Sequence, residues 1–277
     1  MGTKLTLLVV ALALASCGTD RRAETPQPDS SLAEPEARTE PPRQIPPELY
    51  DAFVMNGAMA VAYRYSDDSY SPDEPRVYTK EQIAADVERA KRKEPDAYGV
   101  TDEYLFQALD QFREQIAGKD VAVMGSTRPW YEAIVLAYGG KPTTIEYNTL
   151  VSEDPRLIVL TVEEYEANPT KFDAVFSISS YEHDGLGRYG DPLNPVGDLR
   201  AMQKTLAMLK EGGLLFVAVP VGLDTVVWNA HRVYGHKRLP RFFEGWRVVE
   251  SFGFEPSHLD RKADIHYYQP VFVLTPE

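Results

Sequence analysis

The chain has 277 residues, of which 43% are hydrophobic and 26% are charged, with a formal net charge of −13. This length and composition are those of a globular chain with one large α/β domain or two small ones. A single cysteine excludes an intramolecular disulfide and any cysteine-rich zinc or iron–sulfur site. The acidic balance disfavours nucleic-acid binding, which needs Lys and Arg to neutralise phosphates, and docking onto anionic lipid through a basic face.

The first seventeen residues have the pattern of an export signal. One lysine precedes an apolar run from Leu5 to Ala15, which is too short to cross a bilayer that requires about 20 apolar residues. Residues 14–17, Leu-Ala-Ser-Cys, resemble the lipobox of bacterial lipoproteins, which implies cleavage before Cys17 and a lipid on its sulfur. We therefore expect residues 1–17 to be a signal segment, and the protein to be exported and held on a membrane only through Cys17. The alternative is an ordinary signal peptide, or a short signal anchor in a eukaryotic secretory compartment.

Residues 18–48 form a proline-rich segment. They contain seven prolines among Ser, Thr, Glu and Arg, with few large apolar side chains. Such a segment buries too little apolar surface to offset the entropy lost on ordering, and proline-rich linkers are extended. We predict a disordered tether, and a polyproline ligand for a partner is the alternative.

Residues 49–277 are predicted to form a single α/β domain whose first part, 49–118, is a helical extension. Helical spacing of apolar residues predicts helices over 79–93, where Thr79 can cap the first turn, and over 101–116. From residue 119 onwards, short apolar runs alternate with helical patterns. The predicted strands are 120–125, 143–147, 157–161, 172–178, 214–219, 247–250 and 267–274, and the predicted helices are 129–138, 196–209 and 242–246. This alternation predicts a Rossmann-like, mainly parallel sheet of about seven strands with helices on both faces.

Polar groups follow three of the predicted strands at their carboxyl ends, where ligands bind in such sheets. The turn Gly125-Ser126-Thr127 begins a helix, so its backbone N–H groups suit polar or anionic ligands. Glu146 ends the next strand about 20 residues after Gly125, the offset at which a carboxylate can accept both hydroxyls of a ribose. The loop after the fourth strand carries acid, base, hydroxyl and aromatic groups between glycines and prolines. These segments predict one site at one edge of the sheet.

The sequence of residues 177–195 is close to the hallmark of the domain of unknown function 268 family, which residues 121–252 resemble. It reads Ser-Ile-Ser-Ser-Tyr-Glu-His-Asp-Gly-Leu-Gly-Arg-Tyr-Gly-Asp-Pro-Leu-Asn-Pro, and residues 212–220 and 229–235 also look like that family. The family in turn resembles class I S-adenosylmethionine-dependent methyltransferases in its strand order. The resemblance implies a methyltransferase-like fold with S-adenosylmethionine as cofactor. Of the Gly-x-Gly-x-Gly turn of those enzymes this chain keeps only Gly125, which puts the cofactor contact in question.

The resemblance implies roles for the residues at the strand ends. Glu146 would bind the ribose of the cofactor, and Gly125 and Ser126 would face its methionine half. Thr127 in the same turn and Ser179 after the fourth strand complete the predicted cofactor site.

Catalysis would then fall to the hallmark loop. His183 is the predicted general base, because the unperturbed pKa of histidine is near 6.5. Glu182 or Asp184 would orient it, and Arg188 would hold an anionic substrate or form a surface ion pair. The acceptor would be a small molecule or a glycan, from which His183 removes a proton. On this hypothesis, replacing His183 with alanine abolishes activity and leaves the domain folded.

Other chemistries fit the sequence less well. Neighbouring residues Glu182, His183 and Asp184 alternate in direction in extended chain, and His231 and His236 lack the His-Glu-x-x-His spacing, so we predict no metal site. A serine hydrolase would need a Gly-x-Ser-x-Gly turn after a strand. The main alternative is a non-enzymatic or repurposed binding module for a glycan or cell-envelope component, because S-adenosylmethionine is cytosolic and an exported protein works elsewhere. The sequence indicates neither the acceptor nor the oligomeric state.

Overall fold

The computed structural model describes residues 40–69, 75–96, 98–262 and 268–277. The predicted signal segment, the predicted lipid at Cys17 and the first part of the predicted tether lie outside these residues. Within them, no helix has the length and the apolar composition that a membrane span requires.

The helices and strands follow the chain in this order. They are α1 (Tyr50–Phe53), β1 (Ala60–Arg64), β2 (Arg76–Tyr78), α2 (Lys80–Lys91), α3 (Val100–Gln111), β3 (Asp120–Met124), α4 (Trp130–Ala137), β4 (Lys141–Glu146), β5 (Leu150–Ser152), β6 (Ile158–Thr161), α5 (Val162–Ala167), β7 (Phe172–Ile178), α6 (Gly197–Met208), β8 (Leu209–Ala218), β9 (Thr225–Asn229), β10 (His231–Val233), α7 (Arg238–Phe242), β11 (Trp246–Phe252) and β12 (Val271–Pro276). Short 3-10 turns lie at Pro47–Leu49, Arg113–Gln115, Tyr181–His183 and Pro256–Asp260.

The central sheet has seven strands in the order β11-β12-β8-β7-β3-β4-β6. Neighbouring strands from β6 to β8 run parallel, and β12 is antiparallel to both β8 and β11. Of the seven strands of this sheet, the first along the chain, β3, lies inside the sheet beside the central strand β7. The last along the chain, β12, lies between the fifth, β8, and the sixth, β11. This confirms the predicted Rossmann-like sheet, in the strand order that the resemblance to class I methyltransferases implies.

Two apolar cores cover the two faces of the sheet. Leu105 of α3 and Ile134 of α4 pack with Phe216 on one face, and Met202 of α6 packs with Leu215 on the other. Strands covered on both faces have continuous apolar sequences rather than alternating ones, which is why these strands could be predicted from short apolar runs. The prediction of helices on both faces is confirmed.

A side chain caps the start of α2 but not the start of α4. Thr79 caps α2 as predicted, because its hydroxyl accepts a hydrogen bond from the N–H of Gln82. At α4, Pro129 occupies the capping position and no side chain caps the helix. The hydroxyls of Ser126 and Thr127, which precede Pro129, therefore do not cap this helix.

The segment 49–118 is not purely helical. Strand β1 pairs in parallel with β9 in a three-stranded sheet that also contains β10, and β2 pairs in parallel with β5. The prediction of a helical extension therefore needs correction. These strands are short, and each is specified by a partner far along the chain rather than by its own sequence.

The folded part begins before residue 49. Ile45 is 5% exposed and packs with Phe53 and Trp228 in a third apolar cluster. The indole N–H of Trp228 donates to the carbonyl of Pro42 at 2.9 Å. The predicted tether is therefore wrong for residues 40–48, because this proline-rich stretch supplies apolar surface and carbonyl acceptors to the domain.

Candidate functional site

A cleft lies at the carboxyl ends of β3, β4 and β7. Most of the predicted site residues line it, namely Gly125, Thr127, Glu146, Ser179, His183 and Asp184. Ser126 and Glu182 are buried behind its wall. The sheet thus brings together residues that the sequence separates by about 60 positions, as expected when parallel strands end at the same edge.

The cleft is narrow at the strand ends and opens into a larger groove. The part at the strand ends has a volume of about 60 Å³, which is room for a few water molecules. The adjoining groove, of about 560 Å³, is lined by residues of α5 and α6, and a volume of that order is typical of small-ligand sites. Tyr147 and Asp184 line both parts and so mark where they meet.

Ser180 fills the corner beside Gly125. Gly125 has a φ of +65°, and a Cβ added to it would lie 2.9 Å from the Cβ of Ser180 and closer still to the Ser180 hydroxyl. Its N–H donates to the carbonyl of Ile145 at 3.0 Å. Only glycine fits here, because the turn needs a left-handed conformation and because β3 and the loop after β7 approach closely.

The hydroxyl of Ser126 points away from the cleft. It lies 2.6 Å from the carbonyl oxygen of Arg128 and 3.0 Å from Oε2 of Glu132. The hydroxyl of Tyr78 in β2 donates a buried hydrogen bond of 2.6 Å to the carbonyl of Ser126, which stabilises the turn after β3. The Ser126 hydroxyl is therefore not directed at a ligand in the cleft, whereas Thr127 lines the cleft. The predicted contact of Ser126 with a cofactor through its backbone N–H stays a prediction.

Glu132 is a buried carboxyl group beneath this turn that the sequence analysis missed. It has no exposed surface, and its Oε1 accepts a hydrogen bond from Thr144 at 2.7 Å. The Ser126 hydroxyl thus shares its proton between the carbonyl of Arg128 and Oε2 of Glu132. Burial raises the pKa of Glu132 to about 7, although the hydrogen bonds from the hydroxyl groups of Thr144 and Ser126 lower it.

The wild type should lose stability as the pH rises, because the buried Glu132 then loses its proton. Glu132→Gln should abolish this loss. An acid whose pKa is raised in the folded state binds its proton more tightly there, so its contribution to stability is present at low pH. It is lost as the pH rises from the unfolded pKa towards 7. The wild-type free energy of unfolding should therefore fall relative to that of Glu132→Gln by about 1.4 kcal/mol per pH unit in this range. Urea denaturation of both proteins between pH 4.5 and 8 measures this.

The exposed Glu211 provides the control for this measurement. Glu211→Gln removes a carboxyl group that is not buried, so the fall of about 1.4 kcal/mol per pH unit should be missing from its comparison with the wild type. If the Glu132→Gln curve is also parallel to the wild type, the folded state does not bind the Glu132 proton more tightly than the unfolded state, and the prediction is wrong.

Glu146 ends β4 and borders the cleft, as predicted. It is 5% exposed, and its Oε1 accepts hydrogen bonds of 3.3 Å from the backbone N–H and the side-chain amide of Asn148. Burial raises the pKa of its carboxyl group, and these hydrogen bonds oppose the rise. A carboxylate held in this orientation can accept hydrogen bonds from a diol.

His183 is a buried side chain that is held by a segment outside the hallmark loop. It lies in the 3-10 turn after β7 and is 9% exposed. Its Nδ1 is 2.6 Å from the carbonyl oxygen of Ala230, and since a carbonyl only accepts, Nδ1 carries the proton. Burial lowers the pKa of His183 to about 3, and the nearby Arg188 contributes to this lowering. The prediction of a general base with an unperturbed pKa is therefore wrong for His183.

Glu182 does not orient His183 by a hydrogen bond. Its Oε1 is 3.6 Å from Nε2 of His183, which is too long, and instead accepts the hydroxyl proton of Ser179 at 2.8 Å. Burial raises the pKa of Glu182 to about 7. Ser179 has a φ of +53°, a left-handed conformation that costs energy for a residue other than glycine. Such strain is typical of functional loops.

Asp184 is one of two carboxyl groups of the hallmark loop that line the cleft, and Asp191 is the other. It is partly buried and borders both the narrow part and the groove. In the described part of the chain, no hydrogen bond joins its carboxylate to His183. Burial raises the pKa of Asp184 well above its usual range, and the nearby Asp191 raises it further. Asp191 itself accepts the backbone N–H groups of Gly185 and Gly187, so its role is to fold the loop.

Two buried arginines that the sequence analysis missed hold the hallmark loop in place. Arg232 of β10 is fully buried and donates to the carbonyl groups of Asp184 at 2.7 Å and Asn194 at 3.2 Å. Arg238 of α7 donates to the carbonyl of Pro195 at 2.9 Å and to the carboxylate of Asp198 at 2.8 Å. The similarity of residues 229–235 to the family was the available signal, but sequence rules place arginine at the surface.

Within the described residues, no group of three or more side chains is placed to hold a metal ion. The acids and histidines of the hallmark loop make separate contacts with different partners instead.

The chain is similar to one protein family and, at low identity, to several solved structures. A family model described as "Caenorhabditis protein of unknown function, DUF268" matches residues 118–266. A Burkholderia thailandensis 1,6-didemethyltoxoflavin-N1-methyltransferase, solved with S-adenosylhomocysteine, is 14% identical with a TM-score of 0.43, over 69% of this chain and 78% of that one. An S-adenosylmethionine-dependent methyltransferase from Clostridium acetobutylicum is 10% identical with a TM-score of 0.43, over 71% of this chain and 98% of that one. No curated protein matches the chain.

Proposed function

Because the chain belongs to the domain of unknown function 268 family, whose model matches residues 118–266, we propose that it is an S-adenosylmethionine-dependent methyltransferase-like protein. The observation that carries the proposal is the position of Glu146. This carboxylate ends the strand next to β3, borders the cleft and is oriented by Asn148. That is the place from which an acid can accept the hydroxyls of a ribose in a sheet of this kind.

The residues of the cleft fit the adenosyl half of the cofactor. Glu146 would hold the ribose, and Tyr147 with Val162 would border the base at the entrance of the groove. The corner beside Gly125, where the sequence analysis expected the methionine half, is filled by Ser180. When bound, S-adenosylmethionine would supply an activated methyl group.

Asp184 is the residue that we propose as general base. It borders the cleft where the narrow part meets the groove, and its raised pKa makes its carboxylate a stronger proton acceptor than an ordinary aspartate. His183 would border the acceptor as a neutral side chain. Arg232 would act as a positioning residue, because it binds the backbone carbonyl of Asp184. The proposed acceptor remains a small molecule or a glycan.

Titration of the purified chain with S-adenosylhomocysteine tests the proposal. We expect saturable binding, and Glu146→Gln should weaken it by about tenfold to a hundredfold, the range for losing a hydrogen bond to a charged group. Glu211→Gln, which alters an exposed residue near the start of β8, should bind as the wild type does. Absence of binding by the wild type, or unchanged binding by Glu146→Gln, would refute the proposed function.

A second candidate function is a repurposed binding module on the same fold. One observation favours it, namely that Ser180 lies close beside Gly125. The proposed export would favour it too, because an exported protein would be separated from the cytosolic cofactor. A module of this kind would bind a glycan or cell-envelope component without transferring a methyl group. Binding of such a ligand with no affinity for S-adenosylhomocysteine would support it over the methyltransferase.

We also propose that the protein is exported and carries lipid on Cys17. The support is the lipobox-like sequence at residues 14–17, which contains the one cysteine of the chain. Intact-mass analysis of protein from the membrane fraction should find a mature chain that begins at Cys17 and is heavier by the mass of its acyl groups. A mature chain that keeps Met1, or one cut elsewhere with a free thiol, would contradict this.

A further inference from the structure

We infer that the groove between α5 and α6 holds an acceptor substrate with an apolar body and one anionic group, and that Arg200 binds the anion. The inference rests on the proposed function, because it gives the substrate class of the same site. Three observations carry it: the apolar surface inside the groove, the charges along α6, and the position of Arg200 relative to Asp184.

The groove contains apolar surface that only a ligand can cover. It has a volume of about 560 Å³ and is lined by Met124 of β3 and by Val162 and Tyr165 of α5. These three side chains pack on the core of this sheet face and are only partly buried. A ligand that covers them gains about 25 cal/mol for each Å² of apolar surface removed from water. On the side of α6, the small Ala201 lines the groove and leaves room for a flat or chain-like body.

The charges along α6 leave one cation without a counter-ion among the described residues. Arg200 is exposed and lines the groove, and no described residue forms a hydrogen bond or an ion pair with its guanidinium group. Nζ of Lys204, one turn further on, lies 2.6 Å from Oε1 of Glu166 in α5. Asp191, at the end of the groove, accepts backbone N–H groups of its own loop. A ligand with one anionic group would supply the missing partner of Arg200.

The position of Arg200 sets the distance between the anionic group and the reacting atom. Gly197, the first residue of α6, lies against the backbone of Asp184, since a Cβ added to it would be 2.5 Å from the Asp184 carbonyl oxygen. Arg200 follows three residues later and Lys204 seven, which is about 4.5 Å and about 10.5 Å along the helix axis. An acceptor atom at Asp184, the proposed base, is therefore about 5 to 10 Å from the anionic group. One or two aromatic rings span this distance.

Fluorescence titration of the purified chain with two dyes tests the inference. 8-Anilinonaphthalene-1-sulfonate has an apolar aromatic body and one anionic group, and N-phenyl-1-naphthylamine has the same body without the sulfonate. We expect one molecule of the anionic dye to bind per chain. Arg200→Gln should weaken the anionic dye by about fivefold to tenfold, as expected for the loss of a hydrogen-bonded ion pair at a partly exposed site. It should change the affinity for the neutral dye by less than about twofold.

Two further variants and one competitor control the titration. Arg241→Gln removes an exposed arginine of α7, outside the lining of the groove, and should leave both affinities unchanged. Ala201→Leu puts a larger side chain into the groove and should weaken both dyes. Saturating S-adenosylhomocysteine should change the affinity for the anionic dye by less than about threefold, because the nucleoside and the acceptor occupy different parts of the site.

The other outcomes separate this inference from the proposed function. If Arg200→Gln weakens both dyes equally or weakens neither, the inference is overturned. Complete displacement of the anionic dye by S-adenosylhomocysteine would overturn it too, because the groove would then belong to the cofactor site. The proposed function stands in each of these cases. If S-adenosylhomocysteine does not bind while the dyes behave as expected, the proposed function is refuted, and with it the role of the groove ligand as acceptor.

Discussion

Asp198→Asn is expected to lower the free energy of unfolding by about 3–5 kcal/mol, because it leaves buried positive charge without its carboxylate. Asp198 has no exposed surface and accepts hydrogen bonds from Arg238 and from the hydroxyl of Tyr234. Nε of Arg232 lies 3.7 Å from its Oδ1. Although burial by itself would raise the pKa of Asp198, the two arginines lower it, so the group is ionised in the folded state. Asparagine keeps the shape of the side chain and removes the charge.

Chemical denaturation of Asp198→Asn measures this loss, with Glu163→Gln as the matched control. Glu163 lies in the first turn of α5 as Asp198 lies in that of α6, but it is exposed. The control therefore removes a charge near a helix start without touching a buried cation, and should change stability by under about 1 kcal/mol. A loss in Asp198→Asn no larger than in the control would mean that the arginines do not depend on this carboxylate.

Asp184→Asn is expected to slow the reaction by about a hundredfold to ten-thousandfold, which is the usual contribution of a general base. Asparagine is similar in size and cannot accept a proton. The affinity for S-adenosylhomocysteine should stay within about twofold of the wild type, because the variant removes a group that acts on the acceptor and not on the ribose.

Formation of S-adenosylhomocysteine from S-adenosylmethionine, with a cell-envelope extract as the source of acceptor, measures the rate. Asp51→Asn, an exposed change in the first turn of α1, should leave the rate unchanged. His183→Gln separates the two candidate bases in the same assay. If it abolishes the reaction while Asp184→Asn does not, the base is His183 and the role proposed for Asp184 is wrong.

The central sheet could be predicted because its signal is local. Strands β3, β7 and the second half of β8 are short, mainly apolar runs that are mostly buried, and each can be recognised without knowledge of its neighbours. Strand β1 could not, since it is mostly exposed and pairs with β9, which lies more than half of the chain away. Residues 40–48 were missed for a related reason, because the partner of Ile45 is Trp228.

In the candidate site, too, the residues with a local sequence signal could be predicted and those with distant partners could not. Gly125 and Glu146 were placed correctly because each ends a strand that the sequence reveals. The environment of His183 was not, since its burial and its hydrogen bond come from Ala230, between β9 and β10. The role of Arg232 could not be predicted either. It donates to backbone carbonyl groups of the loop, and every residue has a carbonyl group, so the residue types of the loop do not reveal these contacts.

A crystal structure of the protein with 5′-methylthioadenosine bound tests the central claim most directly. We expect the nucleoside at the carboxyl ends of β3 and β4, with its ribose hydroxyls within hydrogen-bond distance of the Glu146 carboxylate. Its base should lie at the entrance of the groove, beside Tyr147 and Val162. A nucleoside bound elsewhere on the protein, or a cleft without nucleoside density in crystals soaked at saturating concentration, would contradict it.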